Sequence, residues 1–349
     1  MTHAALAQPV VDPPTVTWLL PVRNAMPFLP ETLRSLAEQG YPLDRQRVLA
    51  WDNGSTDGSA DMLRDWIGEG CVLPGEVVTD RPMGLGASLA AMVERAETEL
   101  LARIDGDDRV LPGRLSMQVH FLERNPRVAA VSGAAELIDG EGNPLGFQPV
   151  KPTADAEVRW QLRFNNPLIH PAVMMRRSAV LEAGNYRDLK PGQDYDLWIR
   201  LGQRCELANL PVPLIAYRVH DRTVTRRGDA SVGEVNRAMQ LRHLDALWPG
   251  LSQAQWQRLS ERMADPLHSD VTLGDWRSLG RVAEVAAERA GLPANYFKHS
   301  ARFRVQSSSL LSRAIKRWPV AGAAWPRAKR LRDRLAGRPI TESDASRAA

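Results

Sequence analysis

Asp105, Asp107 and Asp108 follow directly on an apolar run, Leu100-Leu101-Ala102, and the pair Arg103-Ile104. Asp-x-Asp suits a hard divalent cation, because Mg²⁺ takes one or two carboxylate oxygens and leaves its other positions to water and phosphate. A buried strand that stops here would project these acids from its C-terminal end, where open α/β sheets bind ligands. For the triplet alone an acidic turn ahead of a helix is the competing reading, with Pro112 in that helix's first turn. A further carboxylate, Asp194, lies in Gly192-Gln193-Asp194-Tyr195-Asp196-Leu197-Trp198, at the N-terminus of a predicted helix. Its plain role there is a cap that offsets the helix dipole, and Asp196 is expected to face solvent. His220 closes the apolar stretch Leu214-Ile215-Ala216-Tyr217 and gains chemical interest only beside a metal.

Two more stretches place polar groups at strand exits. Asp52-Asn53-Gly54-Ser55-Thr56-Asp57-Gly58 combines side-chain acceptors with a flexible glycine. A uracil N3–H needs an acceptor, and either Asp52 or the Asn53 amide oxygen could supply it. An Asx-rich turn capping the next helix accounts for the same residues. Pro21-Val22-Arg23-Asn24 leaves the first strand where a nucleotide could lie across the sheet edge, or is an ordinary βα turn.

The elements that must carry these groups alternate. Strands are predicted at 16–20, 47–51, 76–79 and 100–104, and helices at 28–39, from 59, and at 84–97, which argues a parallel, doubly wound sheet. Beyond this point the pattern changes. Strands are expected at 128–132, 135–139, 172–176 and 214–217, a turn at 141–144, a short helix capped by Ser178, and a helix at 194–201. From about 231 onward the chain reads as helices.

At 349 residues the chain can hold one main domain and an appendage. Its 44% hydrophobic and 25% charged content are those of a soluble globular protein. The charge is uneven: residues 302–338 hold eleven Lys/Arg against one acid, a net +10, and since the whole chain carries +4 the remainder is −6. The high pI is thus a property of the tail, which excludes a nucleic-acid reading of the whole chain. Two cysteines are too few for a disulfide framework or a Cys-based zinc site. No signal peptide and no long apolar span appear, so a cytoplasmic protein is expected. No G-x-G-x-x-G fingerprint occurs at either exit and no P-loop occurs anywhere, which counts against a dehydrogenase or a P-loop enzyme.

Taken in order, five stretches resemble family 2 glycosyltransferases, inverting GT-A-fold enzymes that use nucleotide-diphospho-sugar donors. They are Leu20-Pro21-Val22-Arg23-Asn24, Asp52 to Ser59, Arg103-Ile104-Asp105-Gly106-Asp107-Asp108 with Leu111-Pro112, Gln193 to Trp198, and Tyr217-Arg218-Val219-His220. The resemblance spans about residues 15–222. It implies an α/β GT-A domain with a mixed, mainly parallel sheet over 15–228, followed by a helical extension at 229–300. A disordered tail at 1–14 and a basic amphipathic tail at 301–349 complete the expected organisation.

The resemblance also implies roles. Pro21, Arg23, Asp52, Asn53, Asp105 and Gly106 would bind the nucleotide sugar, and Asp107 with His220 would hold Mn²⁺ or Mg²⁺. Asp194 would be the general base, and His170 and Trp198 would shape the acceptor side. The implied partners are the donor and a hydroxyl acceptor, lipid-linked or otherwise, with no nucleic acid. A non-catalytic sugar-nucleotide-binding scaffold is the alternative from another class. Three departures from the family pattern stand out. Asn53 replaces an acid, keeping an acceptor oxygen without its charge. Arg23 replaces an aromatic. Gln193 replaces a Glu beside the base, removing one like charge that would raise the Asp194 pKa.

In the tail, Leu310, Leu311, Ile315 and Trp318 recur at helical spacing beside Arg313, Lys316 and Arg317. A basic amphipathic helix of this kind binds membrane surfaces, here the inner face of the cell membrane; a solvated helix lying on the protein is the alternative.

Overall fold

Continuous apolar runs, such as Val16 to Leu20, mark strands buried on both faces, and the first strand, β1 (Val16–Val22), is buried along its whole length. The computed structural model describes residues 12–68, 73–150, 153–220 and 230–257, with 285, 288, 291 and 292. Most of the expected helical extension, the basic tail and residues 1–11 lie outside that set. The chain divides into one unit at Met1–Leu247 and a second at Trp248–Ala349. In the second unit, the described residues include buried Trp248, Leu251 and Trp256. Among the described residues no helix is long and apolar enough to cross a membrane.

In the first unit, strands and helices alternate: β1, α1 (Leu29–Ala37), β2 (Gln46–Asp52), α2 (Ser59–Ile67), β3 (Gly75–Thr79), α3 (Leu85–Arg95) and β4 (Leu100–Arg103). Then come β5 (Arg109–Val110), α4 (Arg114–Arg124), β6 (Val128–Ile138), β7 (Pro144–Gln148), α5 (Asp155–Gln161), β8 (Met174–Arg176), α6 (Arg177–Glu182), α7 (Gln193–Leu201) and β9 (Glu206–Arg218). Helices α8 (Ala230–Arg242) and α9 (Leu244–Leu247) close the unit. The sheet runs β3-β2-β1-β4-β8-β6-β9-β5, with β7 paired to β6. β1, β2, β3 and β4 are mutually parallel, as are β6 and β9, whereas β4–β8, β6–β8, β5–β9 and β6–β7 are antiparallel. The expected mixed, mainly parallel sheet is therefore present.

The departures have local causes. The strands expected at 128–132 and 135–139 are one strand, β6. Gly133 lies between them because a Cβ there would meet Leu214 Cδ1 at 2.4 Å; the glycine lets β9 approach and does not end the strand. β9 begins eight residues before the expected 214–217, since Pro211 and Pro213 fall where its pairing with β6 shifts register. Helix α4 starts at Arg114 after Gly113 (φ +80°), so Pro112 precedes it. Ser178 lies inside α6 and donates to Glu99 (2.6 Å), while Arg176 occupies the cap position. Asp196, expected in solvent, is wholly buried.

Candidate active site

β1 leads through β2 to β3 on one side, and the chain then returns to place β4 on the other side of β1. Ligands of open α/β sheets bind outside the carboxyl ends of strands at such a switch point. A cavity of about 860 Å³ opens there. The β1 exit (Pro21 to Ala25) and Asn53 form part of its wall, with Arg103 and Asp105 to Asp108 at the β4 exit. His170, the segment from Leu189 to Asp194, and the β9 exit at Tyr217, Arg218 and His220 supply the rest.

Asp105, Asp107 and Asp108 can each offer one oxygen, all within 4.8 Å of one another. Their surroundings divide them. Arg103, 2% exposed, takes both oxygens of Asp105 in a fork-to-fork pair (Nη1 to Oδ2, 2.7 Å). Asp108 is buried; its Oδ1 accepts from the Arg218 backbone (2.8 Å) and its Oδ2 has no partner. Burial, then the charges of Asp107 and Asp105, push the Asp108 carboxyl well above the usual range. Asp105 is also raised by burial, against the pull of Arg103. Asp107 Oδ2 lies 3.0 Å from His220 Nε2. The His220 ring packs at a tilt against Phe28 (centroids 5.0 Å apart), which also lies under the Arg218 guanidinium (4.6 Å). Arg218 donates to the Asp107 carbonyl (2.9 Å) and pairs with Glu31, so β9 fixes the backbone of the acidic turn. A cluster of hard oxygens with an unsatisfied buried carboxylate oxygen fits a divalent cation.

Asp194 sits in the first turn of α7, with a side chain 19% exposed. Asn166 Nδ2 donates to its Oδ2 (2.7 Å) and the Tyr195 backbone N–H bonds it as well. His170 Nδ1 is 4.0 Å from the same oxygen, and His170 Nε2 lies 3.0 Å from the Tyr186 hydroxyl. Burial raises the Asp194 carboxyl above the ordinary Asp range, and the hydrogen bonds and the Arg103 charge only partly offset it. Burial, then Arg103, holds His170 well below the usual imidazole range, so the ring is neutral at pH 7.

The structure thus brings Pro21, Arg23, Asn53, Asp105, Gly106, Asp107, His170, Asp194 and His220 around one cavity. Asp52 and Trp198 are exceptions. Asp52 is 1% exposed and accepts the Ser55 N–H at 3.2 and 3.4 Å, closing its own turn behind the wall. Trp198 is fully buried, with its ring edge-on to His170 at 5.8 Å, so it backs the histidine and does not face the cavity. Asn53 exchanges two 2.7 Å bonds with the Met83 backbone, donating to its carbonyl and accepting its N–H. A carboxylate could not donate the first, which explains an amide at this position. Gly106 approaches the first strand's exit: a Cβ would stand 3.0 Å from Ala25 Cβ.

Asn166, Tyr186, Arg103 and Met83 escaped the sequence reading as site residues. Arg103 had a visible sign, a lone charge within an apolar run; Asn166, Tyr186 and Met83 act through partners distant in sequence.

The fold supplies the class. TarS of S. aureus (residues 1–349, in complex with UDP-GlcNAc) matches with a TM-score of 0.53 at 14% identity, over 85% of this chain and 81% of that one. This is the GT-A-type architecture. Sequence likeness then supplies the family. Residues 17–183 match the model of Glycosyl transferase family 2. The amylovoran biosynthesis glycosyltransferase AmsE of Erwinia amylovora is 31% identical over 57% of this chain and 73% of its own length. The UDP-Gal:alpha-D-GlcNAc-diphosphoundecaprenol beta-1,3-galactosyltransferase of Escherichia coli is 23% identical over 59% and 74%. The chain belongs to glycosyl transferase family 2 and is a glycosyltransferase.

Proposed function

We propose that this enzyme moves a sugar from a nucleotide-diphosphate donor to a hydroxyl acceptor with inversion, Asp194 serving as general base and Asp107 with His220 holding Mn²⁺ or Mg²⁺. One observation carries the reading: the Asp105–Asp107–Asp108 cluster and the isolated carboxylate Asp194 face the same cavity. The donor named for the Escherichia coli relative, UDP-Gal, supports a nucleotide-diphospho-sugar substrate.

Pro21 and Arg23 border the part of the cavity that takes the nucleotide, and Asn53 keeps one face of it in shape through Met83. Asp105, held by Arg103, accepts hydroxyls of the ribose. The chemistry a divalent cation supplies when bound is charge neutralisation on the departing diphosphate. Asp194, held by Asn166 and the Tyr195 backbone, takes the acceptor's proton. The acceptor oxygen bonds to the anomeric carbon as the bond to the diphosphate breaks, and the nucleoside diphosphate leaves. Burial makes Asp194 a stronger base than an exposed carboxylate. His170 lines the acceptor side as a neutral hydrogen-bonding group.

The acceptor named for the same relative is diphosphoundecaprenol-linked, which supports a lipid-linked hydroxyl here. The +10 stretch at 302–338 would then hold a net-acidic catalytic unit on an anionic membrane face. The test is a panel of nucleotide sugars with Mn²⁺ or Mg²⁺, followed by NMR assignment of the anomeric configuration of the product. Retention, or equal turnover in EDTA and in Mn²⁺, would refute the proposal.

A further inference from the structure

The helix that carries Asp194 is gripped by an element that lies beyond the family-matched residues 17–183. Helix α8 reaches the first turn of α7 at three points. Gly192, the residue before α7, has φ +108°, and a Cβ there would stand 3.2 Å from both Val235 Cγ1 and Met239 Cγ. Gln240 Nε2 donates to the Phe164 carbonyl (2.9 Å), and its side chain also hydrogen-bonds Tyr195. His243, just after α8, places Nε2 2.8 Å from Asp196 Oδ1.

Asp196 is wholly buried and holds three partners: Arg200 on its own helix (2.7 Å), Arg187 from the preceding loop (3.2 Å), and His243. Burial alone would raise its carboxyl, yet the His243 bond and the Arg200 charge hold it down to about 2. Arg200 and Arg187 keep the charge compensated by themselves. What His243 adds is a tie from the end of α8 to the turn on which Asp194 sits, two residues earlier.

We propose that His243, acting through Asp196, is a positioning residue that sets the Asp194 carboxylate against the acceptor hydroxyl. The inference rests on Asp194 being the base. A misplacement of about 1 Å can cost about 10²-fold in rate, while loss of one of three donors leaves the fold in place.

The test uses the full chain with His243→Ala, His243→Gln and Gln240→Ala, and Asp194→Asn alongside. Glutamine can place its Nε2 near that of the histidine. UDP binding in the presence of Mn²⁺ is measured by calorimetry, and kcat by transfer from the donor that the panel selects. His243→Ala should lose about tenfold or more in kcat with UDP affinity within about twofold of wild type, and His243→Gln should recover most of the loss. Gln240→Ala should show the same split between kcat and binding. An unchanged kcat with only a lower Tm, or a parallel loss of UDP binding and turnover, would overturn the positioning role. If Asp194→Asn transfers at the wild-type rate, the base assignment fails; if it is inactive while His243→Ala turns over normally, only the positioning role fails.

Discussion

Replacing Asp194 with Asn separates catalysis from folding in a way that the surroundings of this residue make quantitative. The amide keeps the size of the carboxyl, and its oxygen can still accept from Asn166. What disappears is the ability to take a proton, a contribution of about 10²–10⁴ in rate, or about 2.7–5.5 kcal/mol of barrier. His170 offers no substitute, because its Nε2 is engaged with Tyr186 and burial keeps the ring neutral.

The stability effect runs the other way. Burial raises the folded-state pKa of Asp194 above its unfolded value, so the native state holds the proton more firmly. Stability then falls as pH rises through that interval, and the ionised carboxylate remains a cost at neutral pH. Asn carries no such cost. Asp194→Asn should therefore transfer sugar about 10²–10⁴-fold more slowly with UDP affinity unchanged, and should melt no lower than wild type at pH 7. Its advantage in Tm should shrink below the ordinary Asp range, where both side chains are neutral. Steady-state transfer, calorimetric UDP binding and melting at pH 3 and pH 7 measure all three. A variant with wild-type turnover, or one that is inactive and clearly less stable at pH 7, would refute the reasoning.

Asp107→Ala removes the oxygen nearest His220 and should abolish the dependence of UDP binding on Mn²⁺ in a folded protein; an unchanged Mn²⁺ titration counts against the site. Asn166→Ala removes a bond that favours the charged form of Asp194, so the acidic limb of the pH–rate profile should move to higher pH; a limb that stays in place or moves down would contradict the assignment. Asn53→Asp loses the donor to Met83 and sets two oxygens against each other, at a cost of about 1–3 kcal/mol, read as a lower denaturant midpoint. Truncation near Ser300 should abolish co-sedimentation with anionic vesicles at low salt, and added salt should weaken binding of the full chain; equal binding by both forms would rule out the tail as the membrane contact.

The strands that meet at the cavity were legible because parallel strands buried on both faces are unbroken apolar runs, and each here ends at a conspicuous polar cluster. Asp105 to Asp108 stood out for the same reason, and Asp194 as a carboxylate at a helix N-terminus. Asp196 did not, because helical periodicity says nothing of Arg187 and His243, which reach it from a loop and from another helix. Asp52 looked like a binding residue since its role in closing a turn requires the same acceptor oxygens. Gly133 and the two prolines of β9 carried the marks of strand ends, although close packing and a register shift explain them. Trp198, expected on the acceptor side, backs His170 and does not line the cavity, which depends on tertiary geometry that no local pattern encodes.

The chemistry-bearing groups also sort by where they lie along the chain. Residues 17–183, the family-matched part, supply the acidic turn, Asn53 and the β1 exit. Asp194, Arg218 and His220 lie beyond it, on α7 and at the end of β9. Arg218 ties the acidic turn to β9 through Asp107 and Asp108, and His220 meets Asp107 directly. Asp194 is fixed in turn by Asn166 from the matched part and by α7, which α8 braces. The matched segment alone would thus lack the Arg218 and His220 contacts to its acidic turn and would lack Asp194, the proposed base. Loss of the β9 exit should weaken metal-dependent donor binding, whereas loss of the α7–α8 contact should spare binding and slow transfer. On the proposed roles, donor binding thus draws on the β9 exit as well as on the matched part, and acceptor activation on the α7–α8 contact.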